Sequence, residues 1–506
     1  MLYFISKKSL LQYLMCNIFI HYNSFVYSKI KKRAEVLKFM DGLNKSTNFH
    51  FIAIGGVGMS GLAKYLLEEG FAVSGSDISE SKYFNQVKNL GANVFLGHNE
   101  SNLKDNSIVI ASTAIKQNNP EIIKAKDNNM KILHRSDLLK FIAENFQKEK
   151  GKFIGFSGTH GKTTTSGLAA FVLEKANLIP SYVVGGIIPE FETNAKAQNG
   201  KLFIAELDES DGTILKYSPD ITVINNIEVD HIDFYEDGMN SLLKTFTTFI
   251  SNLKQNAKIL INNDCEGNKQ LIQMNSNCEF ITYGLNDACY TAKNIDFDGI
   301  TTSFNLYKDN ELLSQIKLSI HGKHNIYNAL AVASALVEAG INIKDIAQYF
   351  QEFKGMGRRY QLVAKTNEVT IIDDYAHHPS EIKATLACAK SCNKNKRIVA
   401  IFQPHRYSRL HGLFDDFLKS FSNADKVMVL DTFAASEEPI NGHTSKEFAQ
   451  MLRELNSNKV VKYINGKICD ITDIVNSEIE KDDVVITLGA GDITKLGYAL
   501  ASKIRG

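Results

Sequence analysis

At 506 residues with 44% hydrophobic content, the chain exceeds what one ordinary core holds, so two to four domains of roughly 100–200 residues are expected. Its 57 basic and 56 acidic residues leave a net charge of +1, and no long basic block is present. This balance argues against non-specific nucleic-acid binding and points to small-molecule partners. Seven cysteines include no CxxC pair. Cys388 and Cys392, four apart, have no second pair at zinc spacing, so the cysteines read as buried free thiols of a reducing cytosol.

The first segment, "KKSLLQYLMCNIFIHYNSFVYSKIKKR", sets lysines before a short apolar run interrupted by Gln12, Tyr13 and Asn17. It lacks a small-residue cleavage site and is too short to span a bilayer. Residues 1–48 therefore read as a dispensable extension, with Met40 as an alternative start, and no stable membrane insertion is expected. From His50 an apolar strand at 51–55 runs into a glycine turn, a helix at 61–69 and a second strand at 71–75 closing on Asp77, which is a βαβ unit. Strands at 107–112 and 131–133 extend the sheet. The polar run "ENFQKEKGK" at 144–152 reads as a linker, giving a first domain at 49–148.

A second sheet starts at 153–157, followed by another glycine loop, a helix to about Lys175, and strands at 202–206 and 221–225. Its domain, 149–354, takes in the helix "HNIYNALAVASALVEAG" and the segment "FKGMG". A third alternation of strand and helix runs through "VTIIDDYAHHP", "RIVAIFQPHR", "KVMVLDTF" and "DVVITLGAGDITKL", giving 355–506. The fold class is thus α/β in three domains: Rossmann-like, P-loop ATPase-like and Rossmann-like.

Gly56-Val57-Gly58-Met59-Ser60-Gly61 satisfies GxGxxG between strand and helix, with Asp77 about 21 residues after the first glycine. Glycines allow close approach of a diphosphate to a helix N-terminus. The motif does not separate NAD from another nucleoside diphosphate. The second loop, Gly158-Thr159-His160-Gly161-Lys162-Thr163-Thr164, also joins strand to helix. Its backbone N–H groups suit the phosphates of ATP, with Lys162 at the terminal phosphate and Thr163 at magnesium. It departs from the Walker pattern, since Phe156 stands where the first glycine belongs.

Two strand ends then carry Glu206, followed by Asp208, Glu209 and Asp211, and the Asp230-His231 pair. Carboxylate and imidazole there could hold a divalent cation, or the acidic loop could simply be solvated. The third domain adds "GRRYQ", "DDYAHHPSE" and "FQPHRYSR", all read as loop segments rich in His and Arg and suited to anions.

Together these residues resemble the Mur ligase family, ATP-dependent amide-forming enzymes of peptidoglycan precursor synthesis. The resemblance covers about residues 49–506 and follows the family order of motifs. "GGVGMSGLA", "SGSD", "HRSDLL", "AELDESD" and "FQPHRYSR" are most similar to the members that join L-alanine to UDP-N-acetylmuramate; a sister that attaches recycled peptide has a similar layout. The resemblance implies a cytoplasmic enzyme using ATP and Mg2+. It implies Lys162 at the ATP phosphates; Thr163, Glu206 and His231 at the metal; Asn325 and Asn328 near adenine; and Arg359 and Asp374 closing on the nucleotide. Arg406 and Arg409, with His377 or His378, would meet the alanine carboxylate, and residues 56–61 with Asp77 would hold the UDP-sugar. Lys244 is out of register with the carbamylated lysine of several sister ligases, so that modification is not assigned. A nicotinamide oxidoreductase would leave the second loop idle, and a nucleotide-gated binding protein would not need the Arg/His clusters.

Overall fold

The computed structural model describes residues 45–230, 234–297, 301–366, 368–435, 437–456 and 459–505; the expectations placed on residues 1–44 and on His231 lie outside them. By its internal contacts the chain divides into Met1–Gly55 with Leu66–Glu144, and Gly56–Tyr65 with Asn145–Gly506.

In the first unit, β1 (Asn48–Ile52), β2 (Ala72–Asp77), β3 (Asn93–Leu96), β4 (Ile108–Ala111) and β5 (Ile132–His134) form one sheet in the order β3-β2-β1-β4-β5. Every pairing is parallel. Phe49, Phe51 and Ile52 of β1 are fully buried, as expected of a parallel strand covered on both faces. After β1 the chain adds β2 and β3 on one side and then crosses to place β4 and β5 on the other, and the crevice beyond such a reversal is where open α/β sheets bind ligands.

The run expected to be a linker is helical. The helix Arg135–Glu149 takes in its first six residues, because Leu138, Ile142 and Phe146 keep one face buried and its Glu, Gln and Lys are good helix formers; Lys152 already belongs to the next strand.

The second unit holds two sheets. The larger is built from β6 (Lys152–Ser157), β7 (Ser181–Ile188), β8 (Thr193–Lys196), β9 (Leu202–Glu206), β10 (Ile221–Ile224), β11 (Lys258–Asn262), β12 (Phe280–Gly284), β13 (Tyr290–Phe297), β14 (Thr302–Lys308) and β15 (Glu311–Leu318). Its order is β15-β14-β13-β12-β11-β10-β6-β9-β7-β8. β6 lies between β10 and β9, parallel to both, so the glycine loop after β6 stands at a reversal of strand order, flanked by the ends of β9 and β10. The helix Lys162–Lys175 is buried along Thr165–Leu173 by Ala169, Ala170 and larger apolar neighbours, which fixes its N-terminus against the sheet edge. The antiparallel β13-β14-β15 extension was not expected. Its signal is the Asp309-Asn310 turn, both residues at positive φ (47° and 68°), between strands that alternate inward and outward.

The third sheet contains β16 (Gln361–Lys365), β17 (Thr370–Asp374), β18 (Ile398–Phe402), β19 (Lys426–Leu430), β20 (Val460–Ile464) and β21 (Val484–Leu488), ordered β16-β17-β21-β18-β19-β20. Strand alternation divides its core: Ile372, Ala400, Phe402, Val427 and Ile486 on one face, and Ile371, Val399, Ile401, Met428 and Val485 on the other. Only β16 is antiparallel to its neighbour, so the segments after β17, β18 and β21 emerge on one edge. Six cysteines are free in the described residues, but only Cys388 is buried, and Cys469 is exposed. The expectation of buried thiols is corrected for the others, which sit on loops or helix surfaces.

Candidate active site

The loop after β6 is braced by the loop after β10. Thr159 N–H donates to Asn226 O (3.0 Å), His160 N–H donates to Asn226 Oδ1 (2.7 Å), and Asn225 and Asn226 both donate to His160 O (3.2 Å). Gly158, at φ 114°, passes so close to this loop that a Cβ would lie 2.7 Å from Asn226 O; only glycine fits there. Phe156 is fully buried within β6, so the departure from the Walker pattern falls in the core and leaves the loop intact.

Lys162 Nζ donates to Gly158 O (2.7 Å), Thr159 O (3.1 Å) and Glu209 Oε1 (3.0 Å). Burial alone would lower its pKa, but Glu209, Asp208 and Glu206 together raise it, so the ammonium stays charged. Burial pushes Glu209 up to about 7 against the pull of Lys162, and its Oε2 is buried without a partner. Glu209 is therefore not part of a solvated acidic loop: 1% exposed, it holds the lysine.

Thr163 Oγ1 donates to Glu206 Oε2 at 2.9 Å. Beside both is Gly185, where a Cβ would come 2.1 Å from Glu206 Oε2 and 2.8 Å from Thr163 Oγ1. Only glycine lets the chain pass this close to the two oxygens, and paired hydroxyl and carboxylate oxygens are the donor types that suit a hard divalent cation such as magnesium.

A cavity of about 1190 Å3 opens between the second and third sheets. Of the residues expected around ATP, His160, Gly161, Thr164, Asn325, Asn328, Arg359 and Asp374 line it. Asn325 donates to His321 O (2.7 Å) and accepts from Asn328 Nδ2 (2.9 Å). Asp264, Tyr283 and Tyr327 form another part of its wall, and the sequence reading did not include them. Asp374 ends β17 and is not a loop residue. It accepts from Tyr360 N–H (2.8 Å) and Ala376 N–H (2.7 Å), and burial outweighs Arg359 to raise its pKa to about 6. The Arg359 guanidinium lies over the Tyr375 ring at 4.9 Å.

The other His/Arg positions separate into different surroundings. Arg409, on the short helix Tyr407–Gly412, is buried with Nε and Nη2 3.4 Å from Asp230 Oδ1. Its Nη1 donates to His405 O (3.4 Å). Arg406 is the positive-φ residue before that helix (φ 72°), and its Nε donates to Glu437 Oε1 (2.6 Å). His377 is kept neutral mainly by burial, with its pKa lowered to about 3, and its ring edge faces His405 at 6.1 Å. His378 caps the helix Pro379–Cys392, and its Nε2 is 3.2 Å from Val229 O.

The glycine motif after β1 has a different form from the expected turn: the helix Val57–Glu68 already begins at Val57, leaving Gly56 exposed as the turn. Asp77 accepts from Gly55 N–H (2.9 Å) and Ser79 N–H (3.2 Å), so its carboxylate shapes that turn. Asn194 Nδ2 donates to Val57 O (2.7 Å).

Three stretches match family descriptions: residues 48–147 the Mur ligase family catalytic domain, 156–336 the Mur ligase middle domain, and 358–491 the Mur ligase glutamate ligase domain. The chain belongs to the Mur ligase family, ATP-dependent ligases with an ATP-binding middle domain. It is 38% identical over 463 residues to UDP-N-acetylmuramate--L-alanine ligase of Geotalea daltonii, covering 91% of this chain and 99% of that one. It is 39% identical over 456 residues to the enzyme so named in Clostridium botulinum, covering 90% and 97%. The crystal structure of UDP-N-acetylmuramate-alanine ligase from Thermotoga maritima superposes with a TM-score of 0.77 at 28% identity, over 90% of this chain and 99% of that one. A murein peptide ligase from Psychrobacter arcticus has the same fold (TM-score 0.68, 22% identity, 90% and 99% coverage). Among the described residues no helix is long and apolar enough to cross a membrane.

Proposed function

We propose that the chain ligates L-alanine to the carboxylate of UDP-N-acetylmuramate, with ATP converted to ADP and phosphate, giving UDP-N-acetylmuramoyl-L-alanine in the cytoplasm. The observation that carries this reading is similarity to UDP-N-acetylmuramate--L-alanine ligases along nearly their whole length. The likeness to a peptide-attaching ligase, at 22% identity, is one of fold.

A carboxylate does not accept an amine directly, because oxide would have to leave; transfer of the γ-phosphoryl group to the sugar carboxylate gives an acyl phosphate. Bringing those anions together opposes like charges, at about 4 kcal/mol for a unit pair ~4 Å apart at an effective dielectric near 20. Lys162 at the N-terminus of its helix offsets this repulsion and stabilises the transferring group. Thr163 and Glu206, with His231, would hold Mg2+, which supplies further neutralisation of phosphate charge. Asn325 and Asn328 then bound the adenine side, and Arg359 and Asp374 close on the nucleotide from the third sheet. Arg409, Arg406 and His377 or His378 orient the alanine carboxylate. The neutral amine attacks the acyl carbon, a tetrahedral intermediate forms, and phosphate leaves. Enclosure of the reacting groups keeps water from the acyl phosphate.

Residues 56–61 would receive the UDP diphosphate at the start of their helix, with Asp77 supporting the turn. Two tests separate the alternatives. Mass analysis of the product should show one added alanine and no added peptide when both amines are offered; preferential peptide addition would favour the recycling reaction. Calorimetry should show UDP-N-acetylmuramate binding that NAD does not compete with and that Gly58→Val weakens, with ATP binding unchanged. Binding of NAD would revive the oxidoreductase reading.

A further inference from the structure

Glu381, the last residue of "DDYAHHPSE", has no role of its own in the sequence analysis, yet four candidate residues, His160, Arg359, His377 and His378, converge on it. It is the third residue of the helix Pro379–Cys392, and its Oε2 accepts from the backbone N–H of His377 (3.0 Å) and His378 (3.3 Å). That capping role uses one oxygen. The other, Oε1, lies 3.2 Å from His160 Nδ1 on the phosphate loop and 3.6 Å from Arg359 Nη1. On its far side the His160 ring meets Glu228 Oε2 (3.4 Å) and Ser380 Oγ (3.1 Å) through Nε2. Both ring nitrogens thus face acceptors, the environment of an imidazolium.

A metal is the other cation that could join these groups, since ligand atoms of His160, Glu228 and His378 lie within 4.8 Å of one another. The hydrogen bonds argue against it. His378 Nδ1 accepts from Ser380 N–H (3.4 Å), which leaves the proton on Nε2, directed to Val229 O. With Nδ1 facing the Ser380 hydroxyl (2.8 Å) and Nε2 facing Val229 O, both His378 ring nitrogens already have hydrogen-bond partners, so the geometry favours a proton over a metal as the cross-link.

We propose that Glu381 is a positioning residue of the ligation reaction: through the His160 imidazolium it sets the phosphate loop of the second sheet in register with Arg359 and the His377 segment of the third. Both ends are stiff. His160 is fixed at its main chain by Asn225 and Asn226, and Glu381 is fixed by the helix cap, so a charge-assisted hydrogen bond between them transmits geometry. The charged and titratable groups facing His160 are Glu228 from the loop after β10, and His378 and Glu381 from the cap of the third-sheet helix. Arg359 reaches it only through Glu381.

This inference rests on the ligase reading, and its test uses one readout that does not. Glu381→Gln keeps an acceptor for the helix cap but removes the charge. Its kcat should fall 10- to 100-fold with the ATP KM within threefold and the melting temperature within a few degrees. By nuclear magnetic resonance, the His160 ring, assigned by comparison with His160→Gln, should titrate at least one pH unit lower in Glu381→Gln than in the wild type. An unchanged kcat, or one that falls only in step with melting temperature, would overturn the positioning role. An unchanged His160 titration would overturn the ion pair even if the wild type proved to have another activity.

Discussion

Lys162 Nζ is 3.0 Å from Glu209 Oε1, and the carboxylate is almost wholly buried. The pair holds the lysine along its own loop, across the carbonyls of Gly158 and Thr159. Lys162→Ala should abolish amide formation while leaving the fold intact. Loss of one partner from a buried ion pair ordinarily costs about 3–5 kcal/mol, but Glu209, already pushed up to about 7, can take a proton and escape most of that cost. Melting curves should show a modest shift and turnover none above background; normal turnover would remove the lysine from the site.

Glu206→Ala should sharply raise the magnesium concentration needed for half-maximal rate, or abolish the rate. Gly185→Ala should do the same without replacing either ligand residue, because the new methyl group would collide with Glu206 Oε2 and Thr163 Oγ1 and push them apart. A magnesium titration that does not move in either variant would take the metal elsewhere.

The two arginines after β18 should not respond equally. Arg409 is buried against Asp230, whereas Arg406 is one-third exposed and paired with Glu437. Arg409→Lys should raise the alanine KM at least tenfold, since a lysine cannot reproduce the planar fork, and Arg406→Lys should raise it less. The ATP KM should change little in both. An effect confined to ATP would reassign them.

Much of this site was legible because it follows motifs whose spacing is set by the backbone. The glycine loop must follow a strand and open a helix, and Glu206 must end the neighbouring strand, so Lys162, Thr163 and Glu206 could be grouped from the sequence. The partners that immobilise them could not be found in the same way. Glu209 looked like one acid in a polar loop, and Glu381 like the end of a loop segment, "DDYAHHPSE". Their roles depend on chain segments 47 and 221 residues away from their partners Lys162 and His160. The "ENFQKEKGK" segment misled for a related reason: its polarity suggested a linker, while the periodic burial of Phe146 belongs to a helix that packs.

Burial alone would lower the His160 pKa, but Glu228 and Glu381 raise it from 6.5 to about 9. A cation whose folded pKa is raised contributes stability that is fully present below the unfolded value and lost as pH rises through the folded one. The stability of the wild type relative to His160→Gln should therefore be greatest near pH 6 and fall by up to about 3 kcal/mol as pH rises from 7 to 10. Denaturant unfolding of both proteins across that range checks it; a difference that grows with pH would contradict the imidazolium.

The alanine-ligase activity is decided by phosphate release from ATP, measured with each substrate alone and with both. Rapid release is expected only when UDP-N-acetylmuramate and L-alanine are present together, with one phosphate per UDP-N-acetylmuramoyl-L-alanine formed. Release at the same rate with ATP alone, or none with the complete mixture, would contradict it.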